Sequence, residues 1–509
     1  MNRLAQCVCV ALLLAALDRP TQATCHTVVP TCANNGDGSN WTCAGSPGGP
    51  GSFKNIPGTL VRGDIYYLAD GSYGRYKFNT AVSGTTTVEL RKAQTYDHCT
   101  AIGWNSARMG SAQAVFATHI QLDIATSYLT VNGNGTQTTQ GCGFGPGANY
   151  AASPQSPSDC GIKIDNTSCT GGADACDRPI TVEANAGGYT IEYVELVGQG
   201  SNTIDTGEIS ALNPLGPAAT FTHLYWHNAG CVYFAFVGPR TVSYSYFWGT
   251  EVNGGSTCHG QYMMQGAPVA VSNSSEHHNV YRDIQGTAVY TFLQNSGSAT
   301  FDNWSFYDNI YWNSNGSSQV LANGIVACIN TGVVCTNLRF YQNTIVNTFY
   351  ATGLLMCDVA AGCSATVKNN LWYQTFNTDG VTPACPTFGG NTTNVQDHNS
   401  FLKCGASCPL GTANVCDNSS LNPFTNWTGG VLTLASDAAG WNNRAERLGS
   451  PYDTDATGNA FTTDRGAYQW VPGIGATLGG GQRPRRLDSA AGAIKSICNF
   501  VRRFNPDPE

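Results

Sequence analysis

Residues 303–312 read Asn-Trp-Ser-Phe-Tyr-Asp-Asn-Ile-Tyr-Trp: a short apolar strand, an Asn, then a second apolar strand. The arrangement returns as Asn-Leu-Arg-Phe-Tyr-Gln-Asn-Thr-Ile-Val at 337–346 and as Ala-Thr-Val-Lys-Asn-Asn-Leu-Trp-Tyr at 365–373. A weaker copy, Asn-Val-Gln-Asp-His-Asn-Ser-Phe, follows at 394–401. Aligned on the turn, Asn309, Asn343, Asn370 and Asn399 fall in register at steps of 34, 27 and 29 residues. Periods of about 20–50 residues mark solenoids, and β-branched and aromatic runs between Gly/Asn/Ser turns make this one a β-solenoid. An Asn at each corner tolerates left-handed backbone angles, and its amide can bond to the turns above and below. The expected fold is all-β: a right-handed parallel β-helix over 55–400, with disulfide-rich loops.

Composition agrees. With 59 Gly, 22 Pro and only 11% charged residues in 509, the chain suits many short strands and turns. Its length would suggest several domains, but a solenoid grows in one dimension. At the N-terminus, Arg3, the apolar run Val8 to Leu17 and Thr21-Gln-Ala23 read as a signal peptide over 1–23. That run is too short to span a bilayer and no later segment is longer, so a secreted or surface protein is expected. Residues 24–54 read as a cap, 401–474 as the closing coils and 475–509 as a basic tail. The tail opens on Gly479-Gly-Gly and Arg483-Pro-Arg-Arg, which suits a solvated appendage or a surface contact.

Of 21 Cys, 18 lie between Cys25 and Cys416, an even number that favours disulfides in an exported chain. Cys328/Cys335 and Cys357/Cys363 are the short-range pairs. Cys404, Cys408 and Cys416 lack the companion His a zinc site would want. The chain carries −8; removing +1 for the signal and +3 for the tail leaves −12 on the body. That charge disfavours nucleic acid as a partner. A polysaccharide ligand and a monomeric state are expected.

Three segments resemble secreted parallel β-helix proteins of the pectate-lyase-like superfamily. Leu60-Val-Arg-Gly-Asp-Ile-Tyr-Tyr-Leu-Ala-Asp-Gly-Ser-Tyr73 looks like their first coil, and Val88-Glu-Leu-Arg-Lys-Ala93 like the next strand. Tyr452-Asp-Thr-Asp-Ala-Thr-Gly458 with Thr463-Asp-Arg-Gly-Ala-Tyr468 is similar to their closing segment. The resemblance implies a fold and, by analogy alone, a carbohydrate-active protein. In the closing segment, Asp453, Asp455 and Asp464 also take positions 1, 3 and 12 of a Ca²⁺ loop, with Gly458 at the turn.

Polar chemistry is densest at 251–283, where Glu251, His259, His277, His278 and Arg282 are expected to face outward and converge. For a lyase acting by β-elimination, Arg282 would neutralise a uronate carboxylate, and His259 or His278 would take the proton with Glu251 orienting it. Tyr225, Trp226, Trp248, His277 and Lys92 would bind the glycan. Two other readings stay open. A glycoside hydrolase would pair carboxylates, Glu192/Glu195 or Glu251/Asp283. A non-catalytic glycan-binding or surface protein would need only its aromatic ladder.

Overall fold

The computed structural model describes most residues between 23 and 467. Outside the description lie 1–22, 468–509 and internal stretches, the longest being 143–158, 168–178, 199–206, 251–260, 436–444 and 456–463. The signal peptide and the basic tail therefore fall outside the described residues.

Among the described residues the strands form three long parallel sheets of twelve, nine and twelve strands. Nine successive coils, from Ile65–Leu68 to Leu355–Cys357, lay down one strand per sheet in the order first sheet, third sheet, second sheet. In one coil these are Val271–His277, Val280–Arg282 and Tyr290–Leu293. Strands of these three sheets pair in parallel with their counterparts one coil away, as Val280↔Ile310 and Tyr281↔Tyr311 do. This is a parallel β-helix, as the repeat predicts. It runs past the expected 55–400 at both ends, from Cys25–Val28 to Val415–Asp417. The single strand Cys25–Val28 carries too few residues to reveal a period.

Alternation sorts the side chains. On the third sheet the middle residue of each strand points inward, stacking Leu196, Trp226, Phe247, Tyr281, Tyr311, Ile345, Trp372 and Phe401 into the core. Phe247, Tyr281 and Tyr311 stack almost face to face at 5.5 and 5.0 Å. Flanking residues point outward: one row holds Glu195, Tyr225, Tyr246, Val280 and Ile310, the other His227, Trp248, Arg282 and Trp312. One ion pair sits in the core, Arg240 Nη2 to Glu276 Oε1 at 2.5 Å, with both side chains wholly buried. Tyr281 donates to the other carboxylate oxygen at 2.9 Å, and Phe234 and Trp304 flank the guanidinium.

Asparagines stack where the first sheet turns into the third. Asn279, Asn309, Asn343, Asn370 and Asn399 each pass an Nδ2–H to the Oδ1 of the next, the last to Asn414, at 3.2, 3.2, 3.0, 2.9 and 3.4 Å. The left-handed residue is not the Asn, however, but the one before it. His278, Asp308, Gln342, Asn369 and His398 have φ between 54° and 60°. The turn thus separates two tasks: one residue reverses the backbone, and the next turns inward to satisfy its peptide groups.

Cysteine pairs close the loops: Cys25–Cys99, Cys32–Cys43, Cys142–Cys160, Cys328–Cys335 and Cys385–Cys404. Cys404 is thereby withdrawn from any zinc set, and Cys416 is also disulfide-bonded.

Past the last coil the chain folds back along the row of left-handed residues. Glu446 exchanges two hydrogen bonds with the Asn369 side chain, at 2.9 and 2.7 Å. Tyr452 sets its ring edge-on against Tyr341 and Tyr307. The Asp455 carbonyl accepts from His278 Nε2 at 3.1 Å. The segment is a strap across the corner. Its return leg places Gly466 against Leu371 and Thr344, and the wholly buried Arg465 donates to the Asn399 and Ala413 carbonyls.

Candidate functional site

The expected residues do not all meet. Glu251 and His259 lie outside the described residues. Lys92 is buried, its ammonium spent on Asp70 at 2.8 Å and on the carbonyls of Ala93 and Met109. A cation with three partners and no solvent contact cannot also meet a glycan, so Lys92 is a structural clip. Trp226 belongs to the inner stack and leaves the binding set for the same reason. Its strand, Tyr225-Trp226-His227, is bulky at all three positions, and so gives no alternation from which to phase it.

His278 is buried beneath the strap, and His277, half-buried beside it, stacks on Tyr307. Their Nδ1 atoms are 2.9 Å apart, and His278 Nε2 donates to Asp455. Burial lowers both, His277 to about 3 and His278 to about 4, so both are neutral and committed to the corner. His278 is therefore not placed to act as the base. Beside it, 3.9 Å from Nε2, Asp308 is wholly buried with neither carboxylate oxygen hydrogen-bonded. Burial and the nearby Asp455 raise its pKa well above the usual range, so Asp308 stays protonated. The folded chain then holds a proton that the unfolded chain releases above pH ~4, and stability falls as pH rises. Replacing Asp308 with Asn, which mimics the neutral acid, is expected to stabilise the chain more at pH 8 than at pH 4. Urea unfolding at the two pH values checks this.

The calcium residues are spread out. Asp453 is exposed, whereas Asp455 and Asp464 are buried, and residues 456–463 fall outside the description. Among the described residues no ligand group gathers these three carboxylates.

What the structure does assemble is the outer face of the third sheet. Arg282 lies between two indoles one strand away on either side. Its guanidinium carbon is 4.4 Å from the Trp248 ring centre and 4.9 Å from that of Trp312. Asp283 anchors the stack, accepting from Arg282 Nε at 3.2 Å, Trp248 Nε1 at 3.3 Å and Ser314 Oγ at 2.9 Å. Tyr246 stands over the guanidinium, its hydroxyl pushed up to about 12 by burial, so it remains protonated.

Farther along the same face, His227 Nε2 meets Glu195 Oε1 at 3.1 Å. Gln113 Nε2 donates to Glu195 Oε2 at 2.8 Å and holds the carboxylate in place. With Nε2–H given to Glu195, the tautomer leaves the lone pair on Nδ1. Tyr225 lies flat against this imidazole, ring centres 4.4 Å apart. A carboxylate-oriented histidine is the arrangement general-base chemistry uses. Two strand spacings separate His227 from Arg282, about 10 Å. Beyond Trp312 the face is closed by Phe424, Leu432 and Ala467.

Of the expected residues, then, Arg282, Trp248 and Tyr225 share one surface. Glu195 and Asp283 join them, but three strand spacings apart, about 14 Å, beyond the roughly 5–9.5 Å that paired-carboxylate hydrolysis uses. Glu192 belongs to the first sheet. Trp312 and the His227–Glu195 pairing went unread, because only the coil register brings them beside Arg282.

No protein-family model matches the chain, and no curated protein matches it either. Among solved structures it is similar to pectate lyase Pel9A, at 11% identity over 88% of this chain and 97% of that one, with a TM-score of 0.38. It is also similar to a mannuronic acid specific polysaccharide family 6 lyase from human gut microbiota, at 11% identity over 73% and 85%, TM-score 0.36. XylC in complex with xylose matches at 10% identity over 87% and 98%, TM-score 0.36. At such scores these likenesses carry no argument about the reaction, and the fold rests on the chain's own sheets.

Proposed function

We propose that this is an exported carbohydrate-active protein that lays an acidic polysaccharide along the outer face of the third sheet and cleaves it by β-elimination. One observation carries the reading: a carboxylate-oriented histidine and an arginine clasped by two tryptophans lie on the same row of the same face. In this reading His227 Nδ1 takes the proton beside the uronate carboxyl group, the C–O bond to the leaving sugar breaks as the double bond forms, and the departing oxygen takes a proton from water. Arg282 meets a carboxylate, its charge persisting at any working pH. Half-buried Trp248 offers an apolar face to a sugar ring, while buried Tyr225 backs the imidazole of His227. The elimination leaves a carbon–carbon double bond in the product, and its ultraviolet absorbance is the assay.

His227→Ala is expected to lower turnover about 10²–10⁴-fold on the responsive uronate polymer while leaving circular dichroism unchanged. Unsaturated product formed at the parent rate by His227→Ala would remove His227 as the base. A non-catalytic glycan-binding reading has its own observation, since Arg282 is only 8% and Trp312 only 2% exposed, and the stack is already nearly closed. Binding without product across the uronate panel would favour it.

A further inference from the structure

Asp397, His398 and Glu446 form a group that the glycan reading does not use. Asp397 ends the strand Thr392–Asp397, His398 is the left-handed residue of that corner at φ 54°, and Glu446 comes from the strap. Asp397 Oδ1, His398 Nδ1 and one Glu446 carboxylate oxygen lie within 4.8 Å of one another. Nδ1 is 3.0 Å from Asp397 Oδ1 and 3.8 Å from Glu446 Oε2.

The nearer pair is within hydrogen-bonding distance, yet neither atom has a hydrogen-bond partner and both are shielded from solvent. Their lone pairs are not aimed at each other. Two shielded ligand atoms this close, in ion-pair contact but without a hydrogen bond, have the separation of ligands that share a cation: atoms about 2.0–2.2 Å from one ion sit roughly 3–3.5 Å apart around it. The third ligand is held in advance, because the Asn369 amide grips the Glu446 backbone through both its N–H and its carbonyl.

We infer that Asp397, His398 and Glu446 bind a divalent transition-metal cation of the Zn²⁺ class, which pins the strap to the last coils. One imidazole nitrogen with two carboxylate oxygens suits such an ion, and water would complete a tetrahedron; Ca²⁺ would want oxygen throughout. Lys368 sharpens the inference. Its Nζ lies 2.6 Å from Glu446 Oε2, and its strand position pairs with Asp397. The lysine is thus a built-in competitor that partly neutralises the Glu446 carboxylate until the metal displaces it. Among the described residues the other close trio of potential ligands, Cys328, Cys335 and Cys363, consists of disulfide-bonded sulfurs and does not compete for metal.

The test is calorimetric titration of the chelator-stripped full-length protein with Zn²⁺, with Ca²⁺ as the contrasting probe and thermal unfolding as a second readout. The expected result is a Zn²⁺ equivalent that raises the melting temperature and that Ca²⁺ does not reproduce. His398→Asn, which keeps a residue tolerant of the left-handed angle, and Glu446→Gln should each weaken binding at least tenfold while leaving the metal-free melting temperature near that of the parent. Lys368→Met should tighten it about tenfold. Failure of Zn²⁺ to bind saturably, or an affinity unmoved by all three substitutions, overturns the inference.

Discussion

Asn343→Leu is expected to cost about 4 kcal/mol, read as the shift in guanidinium midpoint. The Asn343 Oδ1 accepts from the Asn309 backbone N–H at 3.0 Å and from its Nδ2 at 3.2 Å, while its Nδ2 donates to the Phe306 carbonyl at 2.9 Å. Leucine has the same branching and the same number of side-chain heavy atoms but can neither accept nor donate. It strands the Asn309 N–H and the Phe306 carbonyl in a fully buried corner, at roughly 1–3 kcal/mol apiece. Asn309 Nδ2 keeps its bond to the Glu276 carbonyl, and the Asn343 N–H keeps Asn370 Oδ1, so the loss stops at two groups. A cost under about 1 kcal/mol would mean that water enters the corner and replaces the missing amide.

Acid is expected to unfold the chain well before its carboxylates are all protonated. Burial lowers His223 to about 4, His277 to about 3 and His278 to about 4. For a base lowered in this way, the unfolded chain takes up protons below pH ~6.5 while the folded chain does not until near pH 4. Stability present at neutral pH is therefore lost as pH falls through that window. His223 alone accounts for on the order of 3 kcal/mol across it. His278→Asn, which suits the left-handed corner, should flatten the slope between pH 6.5 and 4. A guanidinium midpoint that does not move between pH 7 and 5 would contradict this account.

The fold was legible because each coil repeats the same corner, and the amide ladder demands Asn at Asn309, Asn343, Asn370 and Asn399. Asn279 obeys the same rule but hides behind Glu276-His-His, where charge draws attention away from register. Asn was also expected to supply the left-handed turn, since it tolerates that region best among side-chain-bearing residues. Yet Asp308, Gln342 and His398 take it while the next Asn bonds inward. The polar residue before each Asn was the available signal.

The site was half legible. Arg282, Trp248 and Tyr225 were named from residue type, but their neighbours are set by which strands lie adjacent, and that depends on loop lengths no local pattern records. Glu276 shows the limit. It looks like surface chemistry until Arg240, one coil earlier, is found against it inside the core.

The strap changes how this solenoid holds together. A stack of coils has only nearest-neighbour contacts, so its stability adds coil by coil and its ends can fray independently. Asp455 reaching His278, 177 residues away, is of another kind. Together with Tyr452 and Glu446 it binds the coils from His278 to His398 to a single stretch of chain, so none of them can open alone without also releasing the strap. The ties described for this outbound leg fall on the coils from His278 onward. The molecule is thus an additive polymer at its start and an all-or-none block toward its end.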